Sequence, residues 1–374
     1  MVDTVSFIRT DEQVMLADTV GEFLASSADL DRVRDASLTA DPYFSDVWQG
    51  LAEMGLIGLA IDEQYGGAGY GFEELAVVFE ELGAMVTPVP LLSAVMASTA
   101  IAEAGTEGQK ADLLPRITSG ETIATLAVFE EAHDDGSAVP TTTAVSGEEG
   151  WVLKGTKRFV TDASNADCFV VSAKSSSGVG LFLVWRDIEG VEVLPTSSLD
   201  ATRPLGQLDL DHATVPHDAY LGDAPNPGAI VRALDAGVVA MASEQVGGTR
   251  ACLEASVDYA KTRYQFGRPI GSFQAVKHMC ANMLVALEHA RSVAWHAAAT
   301  FDNHEESLIS VPLAKSVCSD AFLKVAGDNI QVHGGIGFTW EHDAHLYFKR
   351  AKADSLLLGS VASYRDRLAD AIGI

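Results

Sequence analysis

The chain is poor in cysteine and in basic residues. It has 4 cysteines in 374 residues, and 25 Lys and Arg stand against 52 Asp and Glu, a formal net charge of −27. The cysteines (Cys168, Cys252, Cys280 and Cys318) lie far apart and form no Cys-x-x-Cys pair. The pattern therefore indicates neither a zinc site nor a disulfide framework. We expect four reduced thiols in a cytoplasmic protein.

The acidic balance and the lack of long apolar runs exclude two classes of partner. Nucleic acids and anionic membrane surfaces both attract faces rich in Lys and Arg, and a pI near 4.5 argues against each. The most apolar stretch, 229–242, contains Arg232 and Asp235 and is shorter than the roughly 18 residues that a membrane span needs. The sequence also begins without a signal-peptide pattern. We expect no nucleic-acid partner and no membrane partner.

Apolar residues make up 48% of the chain, and their spacing changes twice along it. Residues 1–120 show helical spacing, and residues 121–224 contain short β-rich runs separated by Gly, Ser and Asp. Residues 225–374 contain four long amphipathic segments, at about 228–262, 272–300, 304–332 and 342–370. The prediction is a multi-domain α+β fold with an N-terminal all-α domain, a middle antiparallel β-barrel domain and a C-terminal four-helix bundle.

Two short motifs occur in the C-terminal part of the chain, residues 225–374. The first spans residues 263–274 with the pattern Arg-x-x-Phe-Gly-x-x-Ile-x-x-x-Gln, and the second is Gln331-Val-His-Gly-Gly-Ile-Gly337. Together they resemble the signature of the acyl-CoA dehydrogenase family, flavoenzymes that oxidise the Cα–Cβ bond of acyl-CoA thioesters. The order of helical, β-rich and helical domains matches that family too, so the resemblance covers essentially the whole chain.

The resemblance implies an FAD site that crosses a subunit boundary. In the family these two motifs bind the pyrophosphate and adenosine of FAD. Glycines at a helix end let backbone amides approach an anion closely, although such glycines are also typical of a plain helix C-cap. The residues predicted to bind this part of FAD are Arg263, Phe266, Gln274, Gln331, Gly334 and Gly335. A site of this kind implies a dimer at least.

The flavin ring is expected to rest on the middle domain. Lys157-Arg-Phe-Val-Thr161 is similar to the family's Lys-x-Trp-Ile-Thr strand, and Phe159 and Thr161 would supply an aromatic ring and a hydroxyl for a flat, polar-edged group. A plain β-strand with an inward Phe is the alternative. The family's Thr-Glu-Pro and Gly-Ser-Asp stretch is altered here to residues 129–137, in which Ser137 is the predicted contact with CoA.

The catalytic base is missing from both positions where the family carries it. Dehydrogenation needs a carboxylate that removes the α proton while hydride leaves Cβ for the flavin. The common position corresponds to Leu358, just before Gly359-Ser360, and the other position, 26 residues before Arg263, is Gly237. Neither residue can accept a proton. Ser360 itself is predicted to contact the cofactor.

Glu244 is the nearest replacement for the base. It follows Gly237 by seven residues, almost two helical turns, so it faces the same way roughly 10 Å further along the helix. Its neighbours are small or apolar, so Glu244 is either a buried functional acid or a polar contact between helices. Asp235, a second candidate, matches an acidic position near the family's CoA entrance and is a predicted substrate contact.

Three functions remain open. The first is FAD-dependent α,β-dehydrogenation of an acyl-CoA in β-oxidation, with Glu244 as base and an electron-transfer flavoprotein as acceptor. Small residues on the long helix are consistent with a branched or steroid-like acyl group. The second is a base-lacking subunit that completes the FAD sites of a heteromer, as in some actinobacterial relatives. The third is a flavin oxidase or monooxygenase. The resemblance implies a homotetramer or a heterotetramer.

Overall fold

The first third of the chain is helical, as its apolar spacing predicts. The structure, a computed structural model, describes residues 9–39, 42–131 and 139–374. Thr10 and Thr106 begin their helices with capping boxes, in which the threonine hydroxyl and the glutamine three residues later satisfy each other's backbone N–H groups. The helices are α1 (Asp11–Ser27), α2 (Leu30–Ala36), α3 (Ser45–Glu53), α4 (Phe72–Met85), α5 (Leu91–Ala104) and α6 (Glu107–Thr118).

The middle of the chain forms a sheet with the order β1-β4-β2-β3-β7-β6, and β5 pairs with β4. Its strands are β1 (Ala124–Ala127), β2 (Thr143–Ser146), β3 (Trp151–Thr161), β4 (Cys168–Ser175), β5 (Gly178–Trp185), β6 (Val191–Thr196) and β7 (Leu205–Val215). Most pairs are antiparallel, as predicted for this domain, but β4 pairs in parallel with both β1 and β2. The β-rich runs predicted from the sequence fall in β1, β3, β4, β5 and β6 and omit β2 and β7, although Leu208 and Leu210 in β7 alternate with polar residues as strand periodicity requires.

The C-terminal helices pack around the long helix α7. They are α7 (Pro227–Thr262), α8 (Gln274–Ala299), α9 (His304–His333), α10 (Ala344–Asp354) and α11 (Val361–Ile372), and the hairpin β8 (Tyr264–Gln265) and β9 (Arg268–Pro269) joins α7 to α8. Among the residues that the structure describes, no helix combines the length and apolar character needed to cross a membrane.

The predicted single helix 342–370 is wrong, because the chain turns between α10 and α11. Leu358 and Gly359 have φ angles of 60° and 104°, outside the helical region. The buried Lys315 donates from Nζ to the carbonyls of Asp354 and Leu357, at 2.6 and 2.7 Å. These bonds satisfy carbonyl groups that the end of a helix leaves unpaired. Ser360 then caps α11 by accepting a hydrogen bond from a backbone N–H at 3.1 Å.

Helices α4 and α7 touch backbone to backbone. A Cβ added to Gly83 would lie 1.9 Å from the carbonyl oxygen of Glu244, and one added to Gly247 would lie 1.8 Å from the carbonyl oxygen of Glu80. Real Cβ atoms do not approach oxygen so closely, so each glycine is required by the packing. This contact fixes the N-terminal domain against the helix that carries Glu244.

We expect Gly247→Ala to lower the free energy of unfolding by about 1–3 kcal/mol, because the added methyl group must push α4 away from α7. Urea denaturation would measure the change. Gly108→Ala, on the exposed face of α6, is the matched control and should leave stability unchanged or raise it by up to about 1 kcal/mol. Equal stability of the two variants would contradict the packing account.

Candidate active and cofactor site

The two positions that lack a base are neighbours in space. A Cβ added to Gly237 on α7 would lie 2.9 Å from Cδ1 of Leu358 and 2.6 Å from Sδ of Met96 on α5. Met96 and Leu358 are both buried. The place where the resemblance would put a carboxylate is therefore a packed apolar contact between α5, α7 and the turn after α10.

Glu244 lies in a buried group of charged residues that we call the arginine cluster (Asp200, Arg203, Glu244, Arg350 and Asp354). One carboxylate oxygen of Glu244 accepts a hydrogen bond from Nη2 of Arg203, and the other accepts one from Nη1 of Arg350. Both oxygens are thus used in ion pairs inside the protein. This geometry fits the polar contact between helices, one of the two roles left open, and a catalytic role for Glu244 stays a prediction.

The arginine cluster joins the middle domain to the C-terminal helices. Arg203, just before β7, also donates to Asp354 at 2.5 Å, and Arg350 on α10 donates to Asp200 and to the hydroxyl of Thr202. Burial raises the pKa of Asp354 to about 6. Burial acts in the same direction on Asp200, but the charges of Arg350 and Arg203 and the hydrogen bonds from Arg350 and Thr202 together outweigh it and lower the pKa of that carboxyl. The buried charges are paired across the domain boundary, so each depends on the others.

The residues predicted to meet the flavin ring lie at the end of β3. Thr161 is 2% exposed, and its hydroxyl lies 2.7 Å from that of Ser93 on α5, which also donates to Asp162 at 2.6 Å. Burial raises the pKa of Asp162 to about 6. Phe159 is half-buried with a φ of 54°, a strained conformation for a residue other than glycine. The Thr161 hydroxyl therefore already has a partner within the chain.

The residues of the two motifs lie on the surface instead. Phe266 is 91% exposed on the turn between β8 and β9. A Cβ added to Gly334 or Gly335 would meet none of the described atoms within 4 Å. All six residues predicted to bind the adenosine and pyrophosphate of FAD are exposed: Arg263, Phe266, Gln274, Gln331, Gly334 and Gly335. Open backbone at the glycines, a cationic side chain and an aromatic ring fit a ligand that combines phosphates with a base.

Large exposed apolar side chains lie next to these residues in the chain. Ile336, Phe338 and Trp340 follow the two glycines, and Tyr264 lies on the hairpin beside Phe266; all are exposed. We call residues 334–341, which contain the first three, the glycine loop. Grouped exposed apolar residues of this kind mark an interaction surface. The position of the motif residues is thus consistent with a site that a second chain completes.

The remaining predicted contacts have other partners or are not described. Asp235 is buried and accepts two hydrogen bonds from Arg367 on α11, both at 2.6 Å. Ser360 caps α11. Ser137 lies outside the described residues. Their predicted roles toward substrate and cofactor stay predictions.

Sequence reasoning missed the partners of Glu244 and a second buried ion pair. Arg203 and Arg350 are 41 and 106 residues away from Glu244, so no local pattern connects them. The fully buried Lys157 donates to Glu130 at 2.7 Å. Burial disfavours the charged form of Glu130, but the bonds from Lys157 and from two threonines lower its pKa to about 2. A lysine inside a β-rich run was the available signal for that pair.

Family models match this chain along nearly its whole length. They are the acyl-CoA dehydrogenase N-terminal domain at residues 10–121, the middle domain at 127–213 and the C-terminal domain at 228–373. The chain is 34% identical over 359 residues to acyl-CoA dehydrogenase IpdE2 of Mycobacterium tuberculosis, covering 96% of each chain. The predicted family is thereby confirmed.

Two solved structures, each with two proteins in its name, are also similar to this chain. The ChsE4–ChsE5 complex from Mycobacterium tuberculosis is 27% identical with a TM-score of 0.90 and covers 98% of each chain. A variant of the Tcur3481–Tcur3483 steroid ACAD is 34% identical with a TM-score of 0.87, covering 97% of this chain and 98% of that one. The predicted three-domain fold is confirmed by these matches and by the family models.

We expect Glu244→Gln to lower the free energy of unfolding by about 3–5 kcal/mol, because it removes the one carboxylate that two buried guanidinium groups share. Chemical denaturation would measure this. Glu254→Gln, an exposed position on the same helix, should change stability by less than about 0.5 kcal/mol. A Glu244→Gln protein as stable as the control would show that Glu244 does not hold the domains together.

We expect Asp162→Asn to become relatively more stable as the pH rises. A carboxyl whose pKa is raised to about 6 by burial, above an unfolded value of about 3.9, favours the folded state at low pH and loses that contribution as the pH passes 6. The amide does not titrate. Urea denaturation between about pH 4 and pH 7.5 should show the variant gaining up to about 3 kcal/mol on the parent chain. A constant difference across this range would contradict the account.

Proposed function

Because this chain belongs to the acyl-CoA dehydrogenase family, we propose that it is the subunit of a heteromeric, FAD-dependent acyl-CoA dehydrogenase that completes the FAD site of an unlike partner without supplying the catalytic base. The observation that carries this proposal is the apolar contact of Met96, Gly237 and Leu358. It fills the place where either form of the family base would lie.

Proton abstraction needs a group that this chain does not place at the reaction centre. A general base must come within about 2.6–3.2 Å of the proton it removes, directly or through one water. Leu358 and Met96 cannot accept a proton. Glu244 is buried with both oxygens bound by arginines. In the heteromer, the base therefore comes from the partner, within the partner's own active site.

The chain's own contribution is its exposed motif surface. Arg263, Phe266 and the paired glycines of the glycine loop are accessible, whereas Thr161, on the side expected to meet the flavin ring, is buried against Ser93. This contrast supports a role at the adenosine and pyrophosphate end of FAD. When bound, FAD supplies the hydride acceptor. The residues of this chain hold and orient its distal half.

The relatives point to the class of substrate. One similar structure is named as a steroid ACAD with two components, and the ChsE4–ChsE5 structure is named as a complex. We propose a branched or steroid-like acyl-CoA as the substrate of the heteromer, and an electron-transfer flavoprotein as its electron acceptor. The small residues along α7, including Gly237 and Gly247, serve close helix packing in this chain, so the acyl group is expected to bind in the partner.

Arg263→Ala should weaken FAD binding by the complex about 10- to 100-fold, since a charge-assisted bond to phosphate contributes about 1.5–3 kcal/mol. The experiment expresses the tagged chain in its native host, isolates the complex that co-purifies, and measures FAD release by flavin fluorescence. Phe266→Ala should act in the same direction. Arg365→Ala, an exposed arginine paired with Asp320 on the surface, is the control. Unchanged FAD affinity in both motif variants would overturn the proposal.

A further inference from the structure

Two histidines flank the glycine loop in the chain, and their rings contact each other. His333 is the last residue of α9, His342 follows the loop, and their ring centroids lie 4.4 Å apart. Tyr259 on α7 also stacks on His333, at 4.4 Å. We propose that the contact between the two histidine rings, called the histidine stack below, is a pH-sensitive latch that holds the glycine loop in its FAD-binding shape while Nδ1 of His342 accepts its hydrogen bond. The FAD part of this inference rests on the proposed function.

The hydrogen bonds of the two rings define where an added proton would go. Nδ1 of His333 lies 2.9 Å from the carbonyl oxygen of Asn329, so this nitrogen donates a hydrogen bond to that carbonyl. Nδ1 of His342 accepts a hydrogen bond from the backbone N–H of Ala344 at 3.1 Å, so the neutral ring carries its proton on Nε2. Protonation of His342 must therefore occur on Nδ1, and it breaks the bond to the first residue of α10.

The groups that face His342 come from several elements, and the cavity that His342 lines also contains Glu81 of α4 and Arg250 and Glu254 of α7. Burial lowers its pKa, and the charge of His333 adds to this effect. The neighbouring Asp343 acts in the opposite direction, while His345 on α10 and Arg34 on α2 lower the pKa further. Arg34 pairs with Asp343 at 2.5 Å. The surroundings of His342 thus disfavour a positive charge while the loop is closed.

The direction of the pH effect follows from these surroundings. In an open loop the imidazole would titrate near its ordinary pKa of about 6.5. A histidine whose pKa is lower in the closed state stabilises that state above about pH 6.5, and this contribution is lost as the pH falls. Mild acid therefore opens the loop.

Opening would affect everything that the glycine loop carries. The loop begins with Gly334 and Gly335 and continues with the exposed Ile336, Phe338 and Trp340. Gly334 has a φ of 64° and ψ of −137°, a conformation that glycine adopts readily. The histidine stack lies directly beside this residue in the chain. Without the stack, the backbone at Gly334 and Gly335 would be free to move, and so would the exposed apolar side chains that follow them.

Hydrogen exchange of the full chain without added cofactor tests the latch directly. Protection of the amides of residues 334–341, corrected for intrinsic exchange, should be lost progressively from pH 7.5 to pH 5.5, because protonation of Nδ1 of His342 breaks its hydrogen bond to Ala344. His342→Phe keeps an aromatic ring in the stack without the titration, so its protection should not vary with pH. His289→Phe is the matched control, because it removes an exposed histidine on α8, outside the glycine loop and the stack. It should retain the pH dependence of the parent chain.

Protection that does not vary with pH in the parent chain, or that varies equally in His342→Phe, would overturn the latch. FAD release from the co-purified complex separates this result from the proposed function. Faster release at pH 5.5 in the parent complex and not in His342→Phe supports both proposals. A loop that opens with no change in FAD release supports the latch and overturns the cofactor role of the loop. Equal acceleration of release in both complexes overturns the latch and leaves the cofactor role standing.

Discussion

The arrangement of this chain depends on a buried set of ion pairs between Glu244 and two arginines. Arg203 comes from the middle domain and Arg350 from α10, and both guanidinium groups reach the carboxylate on α7. Buried charges are expensive to desolvate and must stay paired, so these bonds fix how the three elements meet. The buried Lys315, whose pKa burial lowers to about 7, then holds the carbonyls of the turn that carries Leu358. The ion pairs and the lysine together place an apolar side chain where the family has a base.

Sequence patterns predicted those parts of the structure that depend on neighbours along the chain. Helix α1 begins at its capping box, and α7, α8 and α9 follow their apolar spacing. The turn between α10 and α11 was missed because it depends on a left-handed φ at Leu358, a conformation that a leucine in the sequence does not indicate. It also depends on Lys315, about 40 residues away in the chain. The partners of Glu244 were missed for the same reason. The family motifs predicted the site residues, but only the structure shows which of them are exposed.

In the heteromer that we propose, the chemistry is divided between two chains. The residues expected at the distal end of FAD are accessible, and those expected at the ring and the base are buried, bonded within the chain or apolar. A subunit of this kind contributes a cofactor-binding surface to the complex and takes no part in proton transfer. The histidine stack beneath the glycine loop adds a means by which pH changes the shape of that surface.

The most direct measurement is an anaerobic titration with a panel of acyl-CoA thioesters, following the flavin absorption of the purified chain alone and of the complex that co-purifies with it. The account predicts that no acyl-CoA reduces flavin in the chain alone, even with FAD added, and that branched or steroid-like thioesters reduce it in the complex. Reduction of FAD by the chain alone would contradict the account. It would require this chain to contain a working base, and Glu244 would then be the first residue to test.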